Sequence, residues 1–578
     1  MKNLKSYLAA LSLAAALLFV NQAQAVTPPA LTFYALGSSA QFNTFGLAAG
    51  ATIFAGGPLC GTHHWTQKSS STVHISLSDT RAGSSIVNED GNIWIVWNDA
   101  AAAGNPGGSV CFYLATDSIV GVRGYQASGT LVLPASLVGV ADANIVPLLG
   151  AGEPLPAQIQ SFANGATFNA AATDIRPEDA KFASMRVQSA YGAQAPGRSI
   201  TGQGYGPSPI GTSIQSSQSG AKANPVDFAI DPGDVDPITL GAVRHYVELS
   251  TGAAPVMVIV NKSLSTAGHL GDPNLKNINR FMLAKALTGN LSRTRDLFAS
   301  RDNTLSDFAL HTYIREPLSG TYNTMEWNVP ASQELAGELY FSPGFVNGQD
   351  TNINPADTSC TVKPCTVESG NPLWHIYPNV DSLAHHATRG RCVGTGECVT
   401  AVNNNADGLG YAFWGFSTFA GKANIKYLSV DGIEPLYAAA SDNPNGIGIP
   451  PACSPSCPLL SFPNIVNGTY PVWSYYRLMY DASDSTSIAA AMVSYAQAAS
   501  NPSTGIFTDL VPAPLMQVFR SHYGQAVRDN GIAFGPNNGF KAGVPETGGD
   551  MGGAVLTIQS EQDFIADTGG NQQVSLKQ

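Results

Sequence analysis

Charge is what this chain has least of: Lys, Arg, Asp and Glu make up 12% of its 578 residues, about half the usual share. The 29 basic residues are outnumbered by 41 acidic ones, for a net charge of −12, which excludes the basic footprint of a nucleic-acid-binding protein. Beyond the N-terminus no apolar run approaches the roughly 18 residues of a membrane-spanning helix. A Gly-x-Ser-x-Gly elbow is missing, so His63, His64 and His522 have no defined nucleophile among neighbours such as Ser38 and Ser39, and each reads as an ordinary polar residue. The late run Gly548-Gly549-Asp550-Met551-Gly552-Gly553 lacks the Lys and the spacing of a P-loop and reads as turns.

What the chain does have is apolar mass and many breaks. Hydrophobic residues reach 44%, and 59 Gly with 37 Pro predict tight turns and long connections. The length allows two to four folding units. Residues 1–25 combine Lys2 and Lys5, an apolar stretch from Leu8 to Val20, and Ala23-Gln24-Ala25, the three parts of a secretory signal. This predicts a periplasmic or secreted protein beginning at Val26, without lipid attachment because no Cys lies near that junction. In an oxidising compartment the eight cysteines are expected to pair: Cys60 with Cys111, Cys453 with Cys457, and Cys360, Cys365, Cys392 and Cys398 among themselves. The spacings around His375, His385 and His386 are wider than most structural zinc sites, so no metal is expected.

Short β-branched and aromatic runs predict strands at Leu31 to Leu36, Asn92 to Trp97, Val110 to Ala115, Thr130 to Leu133, Ala254 to Val260 and Tyr411 to Phe416. A helix is predicted over Asn277 to Leu287, with Ile278, Phe281 and Met282 on one face. Strands alternating with helices read as α/β with parallel or mixed sheets. Residues 192–236, rich in Gly, Ser, Gln and Pro, read as a long loop, and 347–405 as a Cys- and Asn-rich insertion.

The most informative segment is Arg315-Glu316-Pro317-Leu318-Ser319-Gly320-Thr321. Ser319 is a good N-cap, Gly320 lets backbone approach a ligand, and the start of a following helix favours negative charge. The guanidinium fork of Arg315 grips two oxyanion oxygens at once. Together these residues predict an anion site.

At this point the sequence resembles the phosphate-binding proteins of bacterial ABC importers, the PstS-like members of the type 2 periplasmic-binding-protein superfamily. Arg315 to Thr321 matches the family's Arg-x-x-x-Ser-Gly-Thr, and Tyr34 to Phe42 is similar to its first strand and loop. Phe168 to Ile175 resembles the segment with its ligand-binding Asp, and Pro255 to Asn261 the strand at the lobe crossing. Asn279 to Leu297, Gly408 to Trp414, Val430 to Pro435 and Asn467 to Val472 follow in the family's order. The resemblance implies a two-lobed α/β fold with a ligand cleft between the lobes. Residues 26–254 and 431–578 would form lobe I, 255–430 lobe II, with crossings near Pro255 and Asp431. It further implies a phosphate site built from Ser38, Ser39, Asp174, Arg315, Ser319, Gly320 and Thr321.

The chain departs from that pattern in places. Pro317 stands where the family often has an Asp that steadies the Arg, with Glu316 the neighbouring substitute. The family's second-strand serine has only Ser69, Ser70 and Ser71 as counterparts, and the Cys-rich insertion has no family explanation. Asp174 carries a chemical expectation of its own: a carboxylate facing an anion is repulsive unless the anion brings a proton to donate. Arg176 is read as its salt-bridge partner. The implied function is an extracytoplasmic solute-binding protein for phosphate or a related oxyanion, monomeric, cofactor-free and serving an ABC permease. The alternative is a secreted PstS-like phosphatase, or a surface protein whose anion site is degenerate.

Overall fold

The computed structural model describes residues 31–52, 57–68, 76–79, 87–126, 128–175, 246–287, 291, 293–298, 305–315, 319–329, 388–392, 394–443, 448–450, 460–501, 509–520 and 555–557. Outside them lie the expected signal segment, the stretch 192–236, most of the insertion, Ser69 to Ser71, Arg176, Glu316, Pro317, His375, His385, His386, His522, Cys360, Cys365, Cys453, Cys457 and the Gly548 to Gly553 run.

The first part of the chain supplies β1 (Leu31–Ser38), β2 (His63–Gln67), β3 (Ser76–Asp79), β4 (Val87–Asp90), β5 (Asn92–Trp97), β6 (Ser109–Thr116), β7 (Thr130–Val132) and β8 (Ala170–Thr173). β3 sits between β4 and β7 in a separate small sheet. β1 lies between β6 and β8, parallel to both. Its near-continuous burial is that of a strand covered on both faces, and only Leu31 at its start is exposed. Helices Phe42–Gly50 and Ala489–Ser500 cover one face, and Phe33, Phe45, Trp94, Tyr113 and Met492 fill the core beneath.

The second part is organised by one long strand. β9 (Val247–Asn261) is followed by β10 (Asn277–Ile278), β11 (His311–Arg315), β12 (Thr388–Cys392), β13 (Gly408–Phe413), β14 (Ile425–Val430), β15 (Trp473–Tyr480) and β16 (Val511–Pro512). The first half of β9 pairs with β15, from Val247 to Pro255. Its second half, Val256 to Asn261, pairs with β13 on one side and β14 on the other. The strand therefore belongs to two half-sheets, and Pro255 stands where partners change. β15 continues into the first half-sheet by pairing with β8, while β11 lies parallel between β12 and β13 in the second.

A separate core, including Val258, Leu283, Tyr313, Val399, Leu409 and Tyr427, fills the second half. Leu436, Leu460, Phe462, Tyr470 and Val472, which follow the expected crossing near Asp431, belong to it too, as do Tyr475, Tyr476, Leu510 and Val511 further on. The helix predicted from Asn277 begins at Arg280. Asn277 and Ile278 pair with β14 instead, and the buried face is Met282, Leu283, Ala286 and Leu287. Phe281 is exposed and lies under the Lys285 ammonium.

Two disulfides are formed among the described residues. Cys60 is bonded to Cys111, as expected, with Cα atoms 6.0 Å apart. Cys392 is bonded to Cys398, one of the pairings left open for the middle four, tying the end of β12 to helix Thr395–Asn404.

Candidate functional site

The chemistry collects at the carboxyl ends of parallel strands, where open α/β sheets place their ligands. Ser38 ends β1, Arg315 ends β11, Asp117 follows β6, and Asp174 follows β8. Helices begin immediately afterwards at Ser118, Gly320 and Thr395. Helix N-termini carry a partial positive charge that favours anions.

Ser38 donates its hydroxyl hydrogen to Asp174 Oδ1, while its carbonyl accepts from Tyr113 at 2.6 Å. The Asp174 N–H donates to Ser118 Oγ at 3.1 Å, and Ser474 Oγ donates to the Asp174 carbonyl at 2.7 Å. Gly320 packs directly on this pair. A Cβ there would lie 2.5 Å from Ser118 Oγ and 2.7 Å from Asp174 Oδ2, so the position has no room for a side chain. Ser319 caps the helix, accepting from Thr321 N at 3.1 Å.

Arg315 lies in the same place. Its Nη1 donates to Thr395 Oγ1 at 2.9 Å and Thr321 Oγ1 at 3.2 Å, and Nη2 is 3.3 Å from Asp117 Oδ1. Its backbone N–H donates to the Tyr411 hydroxyl at 3.1 Å. The Arg315 and Asp117 side chains are 1% and 3% exposed, which makes this a buried ion pair between the two halves of the fold. Ser39 Oγ meets Thr395 Oγ1 at 3.3 Å, a second contact across the same gap.

Burial dominates the electrostatics. It pushes the Asp174 carboxyl up to about 6, against the opposing pull of the Ser38 hydrogen bond and the Arg315 charge. The hydroxyls of Tyr113 and Tyr476 are also pushed well above their ordinary range, by burial first and by the Asp174 charge second. A cleft of about 720 Å³ opens beside the cluster, with Ser39, Asp117 and Thr395 in its wall.

All seven residues expected from the sequence thus meet here: Ser38, Asp174 and Gly320 around one carboxylate, Arg315 with Thr321 beside it, Ser319 as the helix cap and Ser39 at the cleft. Asp117, Ser118, Thr395 and Tyr411 were missed. Asp117-Ser118 carried a readable signal, an acidic residue and a capping hydroxyl directly after the apolar run Val110 to Ala115. Thr395 carried none, because its place is set by the Cys-rich insertion. The steadying carboxylate for Arg315, sought at Glu316, is supplied by Asp117 from 198 residues away. His63 sits between Glu153 at 2.6 Å and Asp99 at 2.8 Å, and His64 Nε2 is 3.3 Å from the Gly150 carbonyl.

No protein-family model matches the chain, and no curated protein matches it. Among solved structures, an ABC-type phosphate transport receptor from Vibrio cholerae aligns with 41% of this chain and 61% of its own at 11% identity and a TM-score of 0.21. The chain thus spans less than two thirds of that protein's length. A phosphate-binding protein from Stenotrophomonas maltophilia aligns over 64% of this chain and 71% of its own, at 13% identity and a TM-score of 0.26. A high-affinity periplasmic phosphate-binding protein, PfluDING, solved with phosphate, aligns over 84% and 92%, at 10% identity and a TM-score of 0.32.

Proposed function

We propose that this chain is an extracytoplasmic solute-binding protein whose two lobes close on phosphate or a closely related protonated oxyanion and release it to an ABC importer. The observation that carries the reading is the buried cluster itself: one arginine and two carboxylates, drawn from four strand ends and both halves of the fold, with hydroxyls around them. Such a cluster is costly to bury unless its charges are matched. With Asp117 and Asp174 both ionised against Arg315 the cluster is already negative, so a further anion is tolerated only if a proton comes with it or is held there. Hydrogen phosphate can donate that proton to Asp174; fully ionised sulfate cannot.

Calorimetric titration of ligand-stripped protein with phosphate, arsenate and sulfate at fixed salt tests this. Phosphate and arsenate are expected to bind and sulfate to bind far more weakly; equal binding of sulfate would remove the role given to Asp174. One observation favours the phosphatase alternative: the Ser38 hydroxyl donating to Asp174 has the form of a nucleophile beside a base. Phosphate released from p-nitrophenyl phosphate with turnover, lost in Ser38→Ala, would replace the binding reading.

A further inference from the structure

The cleft beside the cluster is much larger than an inorganic oxyanion needs. Its volume of about 720 Å³ falls within the range, about 300–1,000 Å³, of pockets that hold whole organic ligands. It adjoins the anion cluster: Ser39, Asp117 and Thr395 line its wall and touch the cluster, and Arg315, held by Asp117 and Thr395, lies directly behind that wall. We infer that the cleft takes the hydroxyl-bearing organic part of a phosphate monoester whose phosphoryl group sits at Arg315. This inference rests on the oxyanion reading above and adds the ligand class.

The lining chemistry supports a sugar or polyol. Asn43, Thr395, Thr400 and Thr418, residues bearing amide and hydroxyl groups, line the cleft. Asn43 is already oriented: its Nδ2 donates to Ser417 Oγ across the cleft, which leaves the buried Oδ1 as an acceptor with no partner among the described residues. Lys422 lines the wall with its ammonium 2.9 Å from Thr400 Oγ1, and Lys68 lies on the same cleft, so the surroundings suit a ligand that keeps negative charge. Glu397 and Asp117 on the wall disfavour a second phosphate group. The class that fits is therefore a singly phosphorylated sugar or polyol.

The test titrates the full chain with inorganic phosphate, glucose 6-phosphate and glucose, in the parent and in Ala420→Trp and Lys422→Ala. Ala420 is exposed on the cleft wall, so Trp there fills the chamber without touching the anion cluster. The parent is expected to bind the ester at least as tightly as phosphate. Ala420→Trp should weaken the ester by about thirtyfold or more while changing phosphate less than about threefold, and Lys422→Ala should weaken the ester by roughly fivefold. A parent that binds phosphate but takes the ester about a hundredfold more weakly overturns the inference and leaves the oxyanion reading standing. A parent that binds neither overturns both. Ester binding unaffected by either substitution would place the organic part elsewhere and also reject the inference.

Discussion

At the scale of single residues, Arg315 has two roles that pull apart experimentally. In the proposed function it binds the oxyanion, and in the structure it neutralises Asp117, which is only 3% exposed. Arg315→Ala should therefore cost stability as well as binding, about 3–5 kcal/mol, because it strands a buried carboxylate. Adding Asp117→Asn should recover part of that loss; urea melts of the single and double variants read it directly. Arg315→Lys keeps the charge without the fork, so phosphate affinity should fall on the order of ten- to a hundredfold with a much smaller loss of stability.

Asp174 behaves in the opposite sense. With its carboxyl raised from 3.8 to about 6, the folded protein holds a proton that the unfolded chain gives up. Its contribution to stability is present below pH 4 and lost as pH rises through about 6. Asp174→Asn should thus be increasingly stabilising relative to the parent as pH goes from 4 to 7, a trend thermal melts will show. An unchanged difference across that range contradicts the assigned burial. The substitution should also erode discrimination against sulfate more than it weakens phosphate, because the amide can donate to an unprotonated oxygen.

At the scale of elements, Gly320 joins the two chemistries. It opens helix Gly320–Asn328 and touches Asp174 and Ser118, which belong to the other half. Gly320→Ala should move Asp174 or part the halves, costing about 1–3 kcal/mol of stability as an overpacked contact and at least tenfold in phosphate affinity. Calorimetry on the purified variant checks this. Affinity equal to the parent's would mean that the Gly320 contact is not part of the closed site.

Leu31 to Leu36, Asn92 to Trp97 and Val110 to Ala115 were readable because β-branched and aromatic runs need no distant partner to declare themselves. The first half of β9 was not, because Thr251-Gly252-Ala253-Ala254-Pro255 looks like a turn. Gly252 is there for a tertiary reason: a Cβ would lie 2.2 Å from the Val511 carbonyl of β16. Phe281 fitted a helical face in periodicity, but the core covers the neighbouring face instead.

In the whole molecule, two half-sheets sharing β9 bring strand ends separated by hundreds of residues to one buried point. The halves are linked there by Arg315 to Asp117, Ser39 to Thr395 and Asn43 to Ser417. The residues carrying the chemistry could be read locally, from a cap, a glycine and an arginine in one short segment and a carboxylate after a small-residue strand. Among their partners Asp117 left a local trace after β6, but Thr395 did not, because only the topology that returns the Cys392–Cys398 loop brings it to the same place.

A crystal structure of the arsenate complex, with the arsenic located by its anomalous scattering, would show whether the ligand sits at that point. One strong peak is expected in hydrogen-bonding contact with Arg315 and Asp174, between the ends of β8 and β11. A peak at a different place in protein that binds arsenate in solution would contradict it.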